Sequence, residues 1–254
     1  MDIRVIHEDE WIVVLDKPPG LVVTKAESVK ELTLEDYLQE NFGLGNIERC
    51  GIVHRLDKDT SGVLVVAKNN AIKEILQKAF AEREVHKHYL ALVHGELSPP
   101  IGVVELAIMR NPQNREKFAI SPLGSYAKSE YRVQARFQLD LDKALEPRQK
   151  LTKKEKAYYL NHALKYCLVD VYPFTGRTHQ IRVHLQHLGA PLVSDKVYLN
   201  KKLVRLDVTW CPRHFLHALE VRFIHPATHD PVMFCAELSP DLKLALSYLN
   251  KCDF

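Results

Sequence analysis

An α+β fold, with a mixed, mainly antiparallel sheet and helices packed against it, is what this sequence predicts. Two observations carry that expectation. Short β-rich runs far outnumber helical patterns, and the two kinds of segment do not alternate as a doubly wound parallel fold requires. The runs are Trp11 to Leu15, Val63 to Ala67, Tyr89 to Val93, Tyr131 to Phe137, Cys167 to Tyr172 and Leu219 to Ile224. The clearest helix is Ala71 to Arg83, where Ile72, Ile75, Leu76, Ala79 and Phe80 recur at helical spacing and Asn69 or Asn70 caps the start. A second helix is expected from Thr178 to Leu188, with Ile181, Leu185 and Leu188 as its apolar stripe and Gly189 then Pro191 as its stop. The charged stretch from Asp140 to Lys165 has weak strand character and reads as an inserted excursion, either an exposed helix or a loop.

The 254 residues, 46% of them hydrophobic, suffice to bury roughly 70 to 75% of the surface of the unfolded chain. With no Gly/Ser-rich or Pro-rich linker in sight, residues 1–254 are expected to form one domain. A net charge of +3 permits a polyanionic partner without requiring one. Clustering says more: Arg148, Lys150, Lys153, Lys154 and Lys156 fall together, as do Lys201, Lys202 and Arg205. Five cysteines, at positions 50, 167, 211, 235 and 252, include no Cys-x-x-Cys pair and fit a reducing compartment. The acidic start MDIRVIHEDEWIVVL lacks a signal-peptide pattern, and no apolar run approaches the ~20 residues of a membrane span. A cytoplasmic protein that does not enter the membrane is expected.

The densest chemical text is GIVHRLDKDTSGVLVVAK, residues 51 to 68, in which apolar runs flank a polar turn with two carboxylates, two hydroxyls and a glycine. A side chain presented on such a loop has a fixed position and an open face, which suits nucleophilic or acid/base work. The same residues also suit an ordinary Asp-rich turn. Asp57, Asp59, Ser61 and Gly62 match positions one, three, five and six of a calcium loop, but the twelfth position holds Lys68 where a bidentate Glu is needed. His179, His184 and His187 do not converge on one helical face as metal ligands at i and i+4 do. No metal is expected.

HRLDKDTSG, from His54 to Gly62, resembles the signature of the RluA family of RNA pseudouridine synthases. The resemblance extends along nearly the whole chain, through EDEWIVVLDKPPGL near the start, KHYLALVHG from Lys87 to Gly95, TGRTHQIRVHLQHLGAPLVSD from Thr175 to Asp195, and LHALEVRFIHP from Leu216 to Pro226. It implies the pseudouridine synthase catalytic fold and the conversion of specific uridines in structured RNA, ribosomal or transfer, with neither metal nor organic cofactor. Asp57 matches the family's catalytic aspartate, which attacks the nucleoside so that uracil detaches, rotates and rejoins through carbon. The attack is open between a ring carbon, the anomeric carbon and an elimination route. Arg182 matches the arginine that pairs with this aspartate, keeping it ionised and aimed. Read alone, Arg182 is an exposed residue off the Ile181 and Leu185 stripe.

Tyr89 matches the tyrosine that stacks on the target base and helps remove the proton at the new glycosidic carbon; read alone, it is a strand tyrosine with its ring in the core. His54 and Arg55 fall to RNA binding, Arg55 by filling the place of an extruded nucleotide. Arg177, Thr178 and His179 precede or open the second helix, whose N-terminus suits an RNA phosphate; Thr178 also suits a plain cap. Two departures stand out. Ser194 occupies a position where relatives usually carry glycine, and the chain enters the first catalytic motif at once, with no separate N-terminal RNA-binding domain expected. A monomer is the default expectation. The competing reading is a non-catalytic RNA-binding factor, against which the joint presence of Asp57, Tyr89 and Arg182 argues.

Overall fold

A computed structural model describes residues 3–25, 31–145, 152–162 and 165–252, without the side chains of Lys156 and His162. The elements begin with β1 (Arg4–Glu8), β2 (Ile12–Lys17), α1 (Leu34–Phe42), β3 (Ser61–Ala67), α2 (Asn70–Glu82), β4 (His86–His94), β5 (Ile101–Glu105), β6 (Ile108–Arg110), β7 (Phe118–Ile120) and β8 (Lys128–Leu139). They continue as α3 (Leu141–Leu145), α4 (Lys153–His162), β9 (Lys165–Pro173), α5 (Gln180–His187), α6 (Lys201–Asp207), β10 (Leu216–Ile224), β11 (Pro231–Cys235), α7 (Pro240–Ser247) and β12 (Leu249–Lys251). The fold is α+β with mainly antiparallel pairing, as the run of short strands predicts. The chain forms two compact units, Met1–His88 with His217–Glu237 and Tyr89–Leu216 with Leu238–Phe254.

In the first unit the strands lie in the order β1, β2, β3, β10, β11. All of β3, SGVLVVA, is buried, which is why its sequence is a continuous apolar run rather than an alternating one. Val63, Val65 and Ala67 join Ile12 and Val14 of β2 in a cluster onto which α2 lays Ile72 and Leu76. Each such aliphatic side chain contributes about 1.5 to 3 kcal/mol by leaving water. The start of α2 is fixed by Asn69, whose side chain accepts from the Ile72 amide at 2.9 Å. The pairing of β3 with β10 is parallel, with Ala218 opposite Gly62. Gly62 sits at φ +113°, and a Cβ there would lie 2.1 Å from the Ala218 carbonyl oxygen, so this pairing requires glycine. Helix α1, which the sequence patterns did not announce, is opened by a capping box between Thr33 and Asp36.

The second unit orders its strands β4, β9, β8, β12, with β5 on the first half of β8. Strict alternation divides its apolar residues between two clusters. Leu90, Leu92, Tyr166 and Leu168 meet Phe215, Leu242 and Ala245 in one, while Ala91, Val93, Cys167 and Val169 meet Ile181 and Leu185 of α5 in the other. The charged excursion is more than surface: Leu141 and Ala144 of α3 and Tyr159 of α4 are buried in the first of these clusters. Arg148 and Lys150 of the basic cluster lie outside the described residues. Helix α5 is shorter than the expected Thr178 to Leu188, and Leu188, predicted on the buried stripe, is 37% exposed beyond the last turn.

Candidate active site

The loop between Ile52 and β3 carries His54, Arg55 and Asp57, and each of its flanks is pinned. Lys17 ends β2 fully buried, and its Nζ donates to the carbonyls of Pro18 at 2.8 Å, Leu21 at 2.9 Å and Lys58 at 3.0 Å. Three carbonyl oxygens satisfy all three hydrogens of the ammonium, which makes its burial tolerable. The Gly20 amide donates to the same Lys58 carbonyl at 2.9 Å, so the Lys-Pro-Pro-Gly segment and the Asp57 turn are tied at one oxygen. The turn itself is closed by the Thr60 amide donating to the Asp57 carbonyl at 3.0 Å. Behind it the buried Ser61 hydroxyl lies 2.9 Å from His217 Nδ1, and His217 Nε2 faces the Ala236 carbonyl at 3.3 Å. Because a carbonyl only accepts, Nε2 holds a proton, and in the neutral ring Nδ1 then accepts from the Ser61 hydroxyl. Between these pins the Asp57 side chain is half-buried and Arg55 is exposed.

His54 was expected at the RNA; the structure commits its ring elsewhere. Its Nε2 accepts from the Val65 amide at 2.9 Å and the ring stacks on Phe80 of α2 at 4.7 Å between centroids. An Nε2 that accepts from a backbone amide carries no proton, so the ring is the neutral Nδ1–H tautomer. Burial, with the charge of Lys87 adding to it, pushes its pKa down to about 3. Burial likewise pulls the Lys87 ammonium down to about 8. His54 is thus a brace between the loop, β3 and α2.

In the second unit, Tyr89 is half-buried on β4, paired opposite Val171 of β9, and packs against the cluster that holds Ile181 and Leu185 of α5. Arg182 is not the exposed residue its position off the stripe suggests: it is 5% exposed. Its Nε donates to Asp195 Oδ2 at 2.7 Å and its Nη2 to Asp195 Oδ1 at 2.8 Å, a side-on bidentate pair. The guanidinium also lies 5.0 Å from the Tyr198 ring centroid.

Thr178 does not cap α5. The residue at the cap position is His179, held at φ +56° with no side-chain cap bond. The Gln180 side chain does the tying instead: its Oε1 accepts from the Arg177 amide at 3.0 Å and the Thr175 hydroxyl at 2.6 Å, and its Nε2 donates to the Lys128 carbonyl and Ser129 hydroxyl, both at 2.9 Å. His179 Nδ1 lies 2.9 Å from the Tyr198 hydroxyl, and its ring meets Phe118 edge-on at 5.5 Å. Arg177 remains exposed, with its Nε donating to the Tyr126 carbonyl at 3.1 Å. His184 is buried between the Ser129 hydroxyl and the Leu106 carbonyl.

A family model described as RNA pseudouridylate synthase matches residues 11–187, a stretch that contains Asp57, Tyr89 and Arg182. The chain belongs to the RNA pseudouridylate synthase family. A Helicobacter pylori relative named as an uncharacterized RNA pseudouridine synthase is 38% identical over 256 residues, covering 99% of this chain and 70% of the relative. The ribosomal large subunit pseudouridine synthase D of Xanthomonas campestris is 34% identical over 258 residues, covering 98% and 70% respectively. Among solved structures, human RNA pseudouridylate synthase domain containing 1 superposes with a TM-score of 0.71 at 25% identity, covering 99% of this chain and 89% of the other. The RluA-type resemblance of the motifs is thereby established, and this pseudouridine synthase is an isomerase acting on uridine in RNA.

Two buried charged residues with dense hydrogen bonding, Lys17 and Asp195, lie inside the motifs without standing out in the sequence. The signal for Lys17 is a charged residue closing the apolar run IVVLD just before Pro-Pro-Gly. Ser194, the departure from glycine, adopts φ +58°; its hydroxyl donates to the Cys211 carbonyl and its amide to Asp207 Oδ2, bonds that hold a non-glycine residue in a left-handed turn.

Proposed function

We propose that the protein converts specific uridines of structured RNA to pseudouridine, with Asp57 as the attacking carboxylate. The observation that carries the reading is the pinned turn: a half-buried carboxylate whose flanks are fixed at Lys58, His54 and Ser61, inside the stretch that matches the family. Fixing the nucleophile beforehand removes orientational entropy from the barrier. The reaction breaks the bond from ribose to the uracil nitrogen, forms one to a uracil carbon, and moves that carbon's proton to the freed nitrogen. No electrons or atoms enter or leave, so the reaction balances without an external oxidant, reductant or group donor.

By family correspondence, Arg182 is the arginine that keeps the catalytic carboxylate ionised, and Tyr89 stacks on the base and takes the proton. Arg55, exposed beside Asp57, fills the space of the extruded nucleotide, and Arg177 contacts a phosphate. Ribosomal RNA is the favoured substrate, supported by the name of the Xanthomonas relative, with transfer RNA the second. The basic clusters support a polyanionic partner: α4 and α6 are neighbours, with Arg205 Nη1 3.7 Å from Glu155 and Lys202 over the Tyr158 ring, and Lys153, Lys154, Lys201, Lys202 and Arg205 are exposed there. The enzyme acts as a cytoplasmic monomer; among the described residues no helix is long and apolar enough to cross a membrane.

Pseudouridine mapping of total RNA from cells with the intact protein, with Asp57→Ala, and with no protein tests the reading. The same uridines are expected to lose modification in the variant and in the deletion. An unchanged map in Asp57→Ala, with a growth or ribosome-assembly defect only in the deletion, would establish the non-catalytic RNA-binding factor instead.

A further inference from the structure

We propose that α4 and α6 together form an accessory docking face for the phosphate backbone of the substrate RNA, built from residues outside the motifs that carry Asp57, Tyr89 and Arg182; this rests on the reading that the chain acts on structured RNA. Both helices belong to the second unit. They are locked side by side. The Tyr159 hydroxyl donates to the Lys202 carbonyl at 3.3 Å, the Lys202 ammonium lies 5.1 Å from the Tyr158 ring centroid, and Arg205 Nη1 lies 3.7 Å from Glu155 Oε1. The start of α4 thus meets the end of α6, so the two run antiparallel. Beneath them Tyr159 and Leu206 are buried in one apolar cluster, which gives the side chains above a rigid base.

The acidic residues of the two helices, Glu155 and Asp207, are both committed to holding the fold. Asp207 is fully buried, where its Oδ2 accepts from the Ser194 amide at 2.8 Å and lies 2.7 Å from His94 Nε2. Glu155 Oε2 accepts from the Thr152 amide and hydroxyl, both at 2.9 Å, and so closes the start of α4. Lys153, Lys154, Lys201, Lys202 and Arg205 are exposed, and the outward face is therefore cationic. Local stability does not account for that choice. Lys153 and Lys154 open α4 and Lys201 and Lys202 open α6, at the end of each helix where the dipole disfavours positive charge. Lys201 and Arg205 are like charges four residues apart, a spacing that weakens a helix. A polyanion turns both penalties into attraction. Lysines outnumber arginine here, and an ammonium meets phosphate as a point charge without reading bases, which suits backbone docking rather than sequence recognition.

The test measures binding of the full chain to a fluorescently labelled RNA hairpin across a salt series. The triple variant Lys154→Gln, Lys201→Gln, Lys202→Gln should lower the slope of log Kd against log salt by about 2 and weaken binding about 100-fold at about 0.1 M salt, since each phosphate contact releases roughly 0.7 to 0.9 of a counterion. Arginine at the same three positions should keep the wild-type slope. On total RNA from cells lacking the protein, the loss in the Gln variant should appear in KM rather than kcat, and its melting temperature should hold or rise as repulsion at the two helix starts is relieved. An unmoved slope, an equal loss in the Arg variant, or a fall in kcat with KM unchanged overturns the proposal. So does a Gln variant that keeps its RNA slope but no longer binds phosphatidylglycerol vesicles, because the face then serves a membrane surface. The two levels separate cleanly: full modification by Asp57→Ala sinks the catalytic reading and leaves the salt slopes standing, whereas an unmoved slope beside an active wild-type enzyme sinks the docking face alone.

Discussion

Around Asp57 the fixing acceptors are main-chain oxygens: the Lys58 carbonyl takes both the Lys17 ammonium and the Gly20 amide, and the Asp57 carbonyl takes the Thr60 amide. Around Arg182 they are side-chain atoms: the Asp195 carboxylate, the Tyr198 ring and hydroxyl, and the Gln180 amide group. The first arrangement fixes the path of a loop through its backbone. The second fixes the orientation of one side chain on a helix whose path is already set. A loop has no repeating ladder to hold it, so it needs pins at its backbone; a helix satisfies its own backbone and needs partners only at its start and its tips.

The largest effect that would break this contrast lies at Gly62. Alanine there drives a Cβ into the Ala218 carbonyl and strains a backbone at φ +113°, so Gly62→Ala is expected to cost more than about 4 kcal/mol. Urea unfolding, or simply the yield of folded protein, measures it, and a mild effect would mean that β10 does not press on the end of the loop. Next, Lys17→Met strips the donor from three carbonyls and should destabilise by about 3 kcal/mol. If the main-chain pins set the reaction geometry, its turnover should also fall by more than its loss of stability explains.

His54 comes third. His54→Leu leaves the Val65 amide without its acceptor, for about 2 kcal/mol at neutral pH. The pH dependence sharpens the point. With its folded pKa at about 3, against about 6.5 for an unfolded histidine, the unfolded chain binds the extra proton, so stability falls as pH drops through that window. The wild-type protein should therefore lose stability between about pH 6.5 and 3, and His54→Leu should show a shallower slope in urea titrations at successive pH values. The smallest effect is expected from Tyr198→Phe, which removes the acceptor for the Phe118 amide and the contact with His179, about 1 kcal/mol by thermal melting. A much larger loss would show that the side-chain network, too, holds backbone.

Much of this was legible in the chain itself. The apolar run from Val63 to Ala67 announced β3 as a strand, Asn69 announced the start of α2, and Gly189 with Pro191 announced the end of α5. What was not legible depends on residues distant in sequence. Periodicity placed Arg182 on a polar face because its partner, thirteen positions on, adds no apolar signal. By residue type Thr178 suits the cap of α5, whereas Gln180, inside the first turn, reaches back to Arg177 and Thr175. His54, read as a ligand for RNA, turned inward because the Val65 amide, eleven residues away, offered it a hydrogen bond.

The Lys17 knot has a further consequence for how this protein tolerates change. Lys17 contributes a side chain, but Pro18, Leu21 and Lys58 contribute only carbonyl oxygens, which every amino acid possesses. In a saturation library, position 17 should accept almost nothing while position 58, bound to the same ammonium, accepts many residues. The turn beside Asp57 can therefore drift in composition, and with it the surface offered to different RNAs, while the carboxylate stays where it is.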